Sequence, residues 1–169
     1  MDIKKLCYIV VLTTILFTQE EILTFIPSVQ LTFFLIILYG AVLGIKYASL
    51  IVLIHVLLDN LYMSSFTIFT IAPMLIGYFI CLAGGYLLRN KNEYIIAVFS
   101  GICAIIYSAL FIPINTFVYH VDVIAYMISD IPFVLTMVSC NVISVIFLYK
   151  PMYKLLNREI NKNELIETI

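Results

Sequence analysis

The chain has 169 residues, 64% of them hydrophobic and only 11% charged, against about 45–50% and about 25% in soluble proteins. Nine Lys+Arg and ten Asp+Glu cannot coat a globule of this size in water, which excludes a soluble globular fold, intrinsic disorder and a coiled coil. A net charge of −1 gives no reason to expect a nucleic-acid partner.

The composition therefore predicts an all-α integral membrane protein. A helix rises about 1.5 Å per residue and the hydrocarbon core is about 30 Å thick, so about 20 apolar residues span it. The first segment, Leu6–Phe17 behind Lys4 and Lys5, has the look of a signal peptide. It is followed by Thr18-Gln19-Glu20-Glu21-Ile22, with no small-x-small cleavage site and no Ala before Ala41. It reads as a mature membrane helix reaching to Ile26. Leu31–Leu58 would make about 42 Å of helix, too long for one ordinary span. It is read as a pair, Leu31–Ile45 and Tyr47–Leu58, turning at Lys46. Phe66–Leu88, Tyr94–Ile112 and Ile131–Tyr149 are single spans. The outer connections are Pro27–Gln30, Asp59–Ser65 and Pro113–Ser129. Residues 1–150 form the six-helix domain, and residues 151–169 a polar cytoplasmic tail forming a short surface helix or a frayed end.

Six spans put both termini on one side, together with Lys4, Lys5, Lys46, Arg89, Lys91, Lys150, Lys154, Arg158 and Lys162, which are all nine basic residues. The positive-inside rule makes that side cytoplasmic. A five-span reading buries Lys46 and moves Arg89 and Lys91 outside. The outer side is acidic, with Glu20, Glu21, Asp59, Asp122 and Asp130.

Cys7, Cys81, Cys103 and Cys140 lie in apolar runs without metal-ligand or redox spacing and read as small hydrophobes. Polar residues inside a membrane bundle usually face its interior or a cavity. Asp59 and Asn60 close the third helix, as a cap or as ligands. His55 is one turn below Asp59, on the same face, and reads as an interior histidine or part of a site. Asp130 precedes Ile131-Pro132 as an N-cap or a site residue. Asn141, about 15 Å deeper, is interhelical glue or a ligand. Gln30, Asn115 and His120 lie at the outer connections. Most of these groups cluster in the outer half, as in a solute site opening outward. Stripes of small residues, Gly40-Gly44-Ala48, Gly77-Cys81-Gly85 and Ser100-Ala104-Ser108, suit internal packing or docking of another membrane subunit.

No P-loop, zinc motif or nucleophile elbow is present, and no paired intramembrane charges of an ion-driven pump. No cofactor or metal is expected. Six spans, an outward polar pocket and no engine suggest a binding subunit that borrows its energy.

The stretches Phe25-Ile26-Pro27, Val29-Gln30-Leu31, Leu38-Tyr39-Gly40-Ala41-Val42-Leu43-Gly44 and Leu58-Asp59-Asn60 resemble the S components of energy-coupling factor (ECF) vitamin transporters. Length and span count are similar over nearly the whole chain. The resemblance implies a bacterial plasma-membrane protein that binds a vitamin or vitamin precursor from outside. It implies association with a transmembrane coupling subunit and two ATPases, and toppling in the membrane during uptake. It implies substrate-binding roles for Gln30, Asp59, Asn60, Asn115, His120, Asp130 and Asn141. The chain departs from the family in its first helix: Cys7, Val11 and Thr14 stand where many members carry Ala-x-x-x-Ala for docking. Two other readings stay open. One is an MreD-like scaffold of the cell-shape machinery, similar in length and span count. The other is an intramembrane aspartyl peptidase with Asp59 and Asp130 as its dyad.

Overall fold

A computed structural model describes residues 3–23 and 30–162. Among these residues the fold is all-helical, with α1 Ile3–Leu23, α2 Thr32–Tyr62, α3 Ile68–Leu88, α4 Glu93–Phe117 and α5 Val123–Lys162. All five are long and apolar enough to cross a membrane. The connection expected at Pro27–Gln30 falls largely on residues 24–29, outside the described residues.

The second helix is not straight. Gly44 interrupts it with φ 73° and ψ 173°, a conformation open essentially to glycine alone. The two halves, 32–43 and 45–62, fold back on each other. Thr32 Oγ1 lies 3.0 Å and His55 Nε2 3.1 Å from the same oxygen, Glu20 Oε2. In a continuous helix those residues would stand about 34 Å apart. Tyr78 repeats the measurement, with its ring 5.7 Å from Phe33 and 5.8 Å from His55. The expected break at Lys46 is thus real but lies two residues earlier. The charge marks where the chain meets polar surroundings, whereas the turn needs the residue that tolerates positive φ.

The first half of α2 is the centre of the bundle, buried without a gap from Thr32 to Ala41. Such a segment, apolar all round, belongs inside a core. The others present single stripes to it. In α1 the buried residues are Ile9, Leu12, Thr13 and Leu16, spaced by three and four as one helix face requires. α3 crosses α2 where a Cβ on Gly85 would meet the Ile37 carbonyl oxygen at 2.3 Å. Glycine there lets the two backbones touch.

Three helices run further than the sequence suggests: α2 continues past the expected end at Leu58 to Tyr62, and α4 and α5 are longer still. α4 continues through Pro113 to Phe117, and α5 begins at Val123 and continues through Pro132 and Pro151 to Lys162. The connection read as Pro113–Ser129 shrinks to a short turn, capped by the Asp122 carboxylate accepting from the Ala125 N–H at 2.9 Å. Asp130 is therefore inside α5 rather than at its N-cap. Proline is tolerated inside apolar helices, and Pro132 and Pro151 both lie within α5.

The first turns of α1, the bend of α2 and the last turns of α5 meet: Lys5, Tyr8, Leu43, Tyr47 and Ile160 line one small cavity. Beside the α3–α4 turn, Lys150 Nζ lies 2.5 Å from Glu93 Oε1, and Arg89 stacks on Tyr86 at 4.7 Å. The basic residues thus gather at one end of the bundle. The opposite end holds Glu20, Thr32, His55 and Asp59.

Candidate functional site

The end of α1 builds this site with the two ends of α2. Gln19 Oε1 accepts the Leu31 N–H at 2.9 Å, and Gln19 Nε2 donates to Thr32 Oγ1 at 2.8 Å. The Thr32 hydroxyl in turn donates a hydrogen bond to Glu20 Oε2, so a polarised chain ends on a carboxylate. His55 Nε2 approaches that oxygen as an ion-pair contact, at an angle outside hydrogen-bond geometry. His55 is fully buried, and its Nδ1 has no hydrogen-bond partner. One turn further on the same face, buried Asp59 interacts electrostatically with Glu20, His55 and Glu21.

An aromatic wall adjoins these groups. Tyr78 and Tyr107 stack with centroids 5.3 Å apart and planes 12° apart, and Phe33 stands edge-on to both. Both hydroxyls are within electrostatic range of Glu20 and Asp59. The two hydroxyls face each other, yet not at a geometry that gives the fully buried Tyr78 Oη a hydrogen bond.

The residues singled out in the sequence separate into groups. Asp59 belongs to the cluster just described. Gln30 and Asn141 meet around Met137: Gln30 Nε2 reaches its sulfur at 3.5 Å, and Asn141 Nδ2 donates to its carbonyl at 2.8 Å. Asn141 is fully buried with Oδ1 unpartnered. Because Gln30 is two residues from Thr32, the two groups adjoin. Asn60 is fully occupied structurally. It donates to the Val56 carbonyl and Met74 sulfur and accepts from Ser65 and Thr70, which locks the end of α2 onto the start of α3. Asn115 donates to the Phe111 carbonyl and its own carbonyl takes the Val121 N–H. His120 is exposed, at φ 56° in the α4–α5 turn. Asp130 accepts the Ser108 hydroxyl in a separate cleft of ≈ 300 Å³ between α4 and α5, walled by Ile105, Ile112 and Val134 among others.

Three contributors carried little signal in the sequence. Glu20 reads as a solvated helix end, yet its side chain is only 19% exposed. Thr32 and Tyr107 sit in apolar runs. A polar or phenolic group in such a run is the available cue, and only the fold-back of α2 says which ones converge.

Among the described residues no group of three His, Cys, Asp or Glu is spaced to hold a metal ion. The cluster brings together carboxylates, phenols and an imidazole, with His55 Nδ1 and Tyr78 Oη left without hydrogen-bond partners, an arrangement that suits reversible binding of a polar solute. No known protein family, characterised protein or solved structure matches the chain.

Proposed function

We propose that the chain is a solute-binding membrane subunit of the S-component type, taking up a vitamin or vitamin precursor with energy supplied by a separate coupling subunit and two ATPases. The observation that carries this is the cluster of buried Thr32, His55 and Asp59 with partly buried Glu20, at the end of the bundle opposite the basic residues. Buried polar groups are costly in an apolar bundle and mark ligand or ion sites by default. In this reading the two halves of α2 count separately, giving six spans. Both termini, Lys46 and the Arg89–Lys91 turn face the cytoplasm, as the charge asymmetry requires. Gln30 and Asn141 extend the site, whereas Asn60, with its hydrogen bonds occupied, supports it from behind. The chain is then not itself an enzyme. A carboxylate dyad gains no support, because Asp59 neighbours Glu20 and His55 while Asp130 neighbours Ser108.

Native mass spectrometry of protein purified from cells grown in rich medium tests the reading. A co-purified small molecule, released on unfolding, is the expected result. Repeated ligand-free spectra, with a deletion strain altered in shape and normal in vitamin uptake, would move the chain to the scaffold reading. Single cysteines at Lys46, Arg89 and Ser65 test the topology: the first two are expected to resist an impermeant thiol reagent in intact cells, and the third to react.

A further inference from the structure

We infer that the solute held by this site is a small organic cation, a protonated amine or a cationic nitrogen heterocycle, seated between the Glu20 and Asp59 carboxylates and the Tyr78–Tyr107 wall. The inference rests on the solute-binding reading and gives the ligand its charge.

Charge balance is the first ground. Glu20 and Asp59 together carry up to two negative charges, against at most one positive charge on His55. No lysine or arginine occurs between Lys5 and Lys46, between Lys46 and Arg89, or between Lys91 and Lys150, and those intervals contain the whole outer half of the bundle. The other histidine, His120, is exposed on the α4–α5 turn. A carboxylate or phosphate ligand would enter a low-dielectric site beside up to two like charges, with no counter-charge beyond His55, which already lies against Glu20, and there repulsion is strong. A cation meets the opposite situation.

Unfilled hydrogen-bonding capacity is the second ground. His55 Nδ1 and Tyr78 Oη belong to fully buried side chains and have no hydrogen-bond partner. Their rings touch at 5.8 Å, and Glu20 and Asp59 both act on Tyr78. These atoms therefore adjoin the carboxylates. Buried polar atoms are rarely left unpaired unless water, an ion or a ligand completes them. A phenol oxygen and an imidazole nitrogen are both able to accept from N–H, as an ammonium or a protonated ring requires.

The wall itself is the third ground. Tyr78, Tyr107 and Phe33 present three rings in mutual contact. Aromatic faces attract cations through their quadrupoles, most strongly where water is excluded. The second acidic position, Asp130, lacks this combination: its carboxylate already takes the Ser108 hydroxyl, and its cleft is mainly aliphatic apart from Tyr126.

The test uses the full-length protein in lipid nanodiscs and the water-soluble vitamins and their precursors, grouped as cations, neutral molecules and anions at pH 7. Calorimetry is expected to find the tightest ligand among the cations. Glu20→Gln and Asp59→Asn should each weaken it at least tenfold, Glu20→Asp by only a few fold. Tyr78→Phe should weaken it without lowering thermal stability. A neutral or anionic ligand bound as tightly as any cation overturns the inference and leaves the solute-binding reading standing. So does affinity unchanged in both Glu20→Gln and Asp59→Asn. If no member of the panel binds and the purified protein carries no ligand, both fall together. Should Glu20→Gln not fold, Asp59→Asn and the charge of the co-purified molecule decide.

Discussion

Gly40 and Leu82 touch where α2 crosses α3: a Cβ on Gly40 would stand 2.5 Å from the Leu82 carbonyl oxygen. That neighbour is backbone and has no rotamer through which to yield. Gly40→Ala, and likewise Gly85→Ala against Ile37, should therefore destabilise the bundle by about 1–3 kcal/mol, the usual range for overpacking. Gly101 is the control, since an added Cβ there meets only Val142 and Val138 side-chain atoms at 3.2 and 3.4 Å. Thermal unfolding in one detergent should rank Gly101→Ala well above the other two. Equal midpoints for all three would mean the crossing is looser than described.

Gly44 makes the complementary prediction. Nothing lies within 4 Å of an added Cβ, so any cost of substitution is conformational. At ψ 173° the residue is outside the left-handed helical region that asparagine tolerates. Gly44→Ala and Gly44→Asn should both cost about 1–3 kcal/mol. Rescue by asparagine alone, read from the unfolding midpoint, would point to a different turn geometry.

Two buried tyrosines should respond in opposite senses when the hydroxyl is removed. Tyr39 donates to the Leu12 carbonyl at 3.2 Å, so Tyr39→Phe should cost about 1 kcal/mol, the net worth of an ordinary hydrogen bond. Tyr78 Oη has no such partner, so Tyr78→Phe in the ligand-free protein should be neutral or stabilising. The pair is checked by the same melting experiment, and a loss of stability in Tyr78→Phe equal to that in Tyr39→Phe would contradict the assignment.

The Ser108 hydroxyl and the Asp130 carboxylate fasten α4 to α5. A double-mutant cycle of Ser108→Ala and Asp130→Ala should return a coupling of about 1.5–3 kcal/mol, as for hydrogen bonds to a charged group. Additive effects would show that the two side chains act independently.

How far the sequence reveals these features depends on the scale of the physics involved. Phe66–Leu88 and Tyr94–Ile112 are readable because span length and apolar composition are local properties; α3 matches the first from Ile68 onward, and α4 contains the second. The break in α2 is readable through Lys46, with its position displaced to Gly44. The extent of α5 is not, because Pro132 and Pro151 look like boundaries, whereas an apolar helix tolerates both. The site divides in the same way. His55 and Asp59 share a face by simple helical spacing, so their partnership is visible in the chain. Glu20 and Thr32 join them only because α2 reverses direction, and Tyr107 only because α4 packs beside α3. No local pattern encodes those approaches.

The unbroken burial of Thr32 to Ala41 has a mechanical meaning. This segment is as apolar as any lipid-facing helix, yet it meets protein on every side. At about 1.5 Å per residue, the half-helix 32–43 is about 18 Å long, well short of the hydrocarbon thickness of about 30 Å. Hidden as it is, it escapes the mismatch that would otherwise tilt it or thin the surrounding lipid. Changes in acyl-chain length therefore act on the peripheral helices, which are free to lean, while the centre keeps its length and serves as a fixed axle. The polar cluster is mounted at one end of that axle, insulated from fluctuations in the bilayer around it.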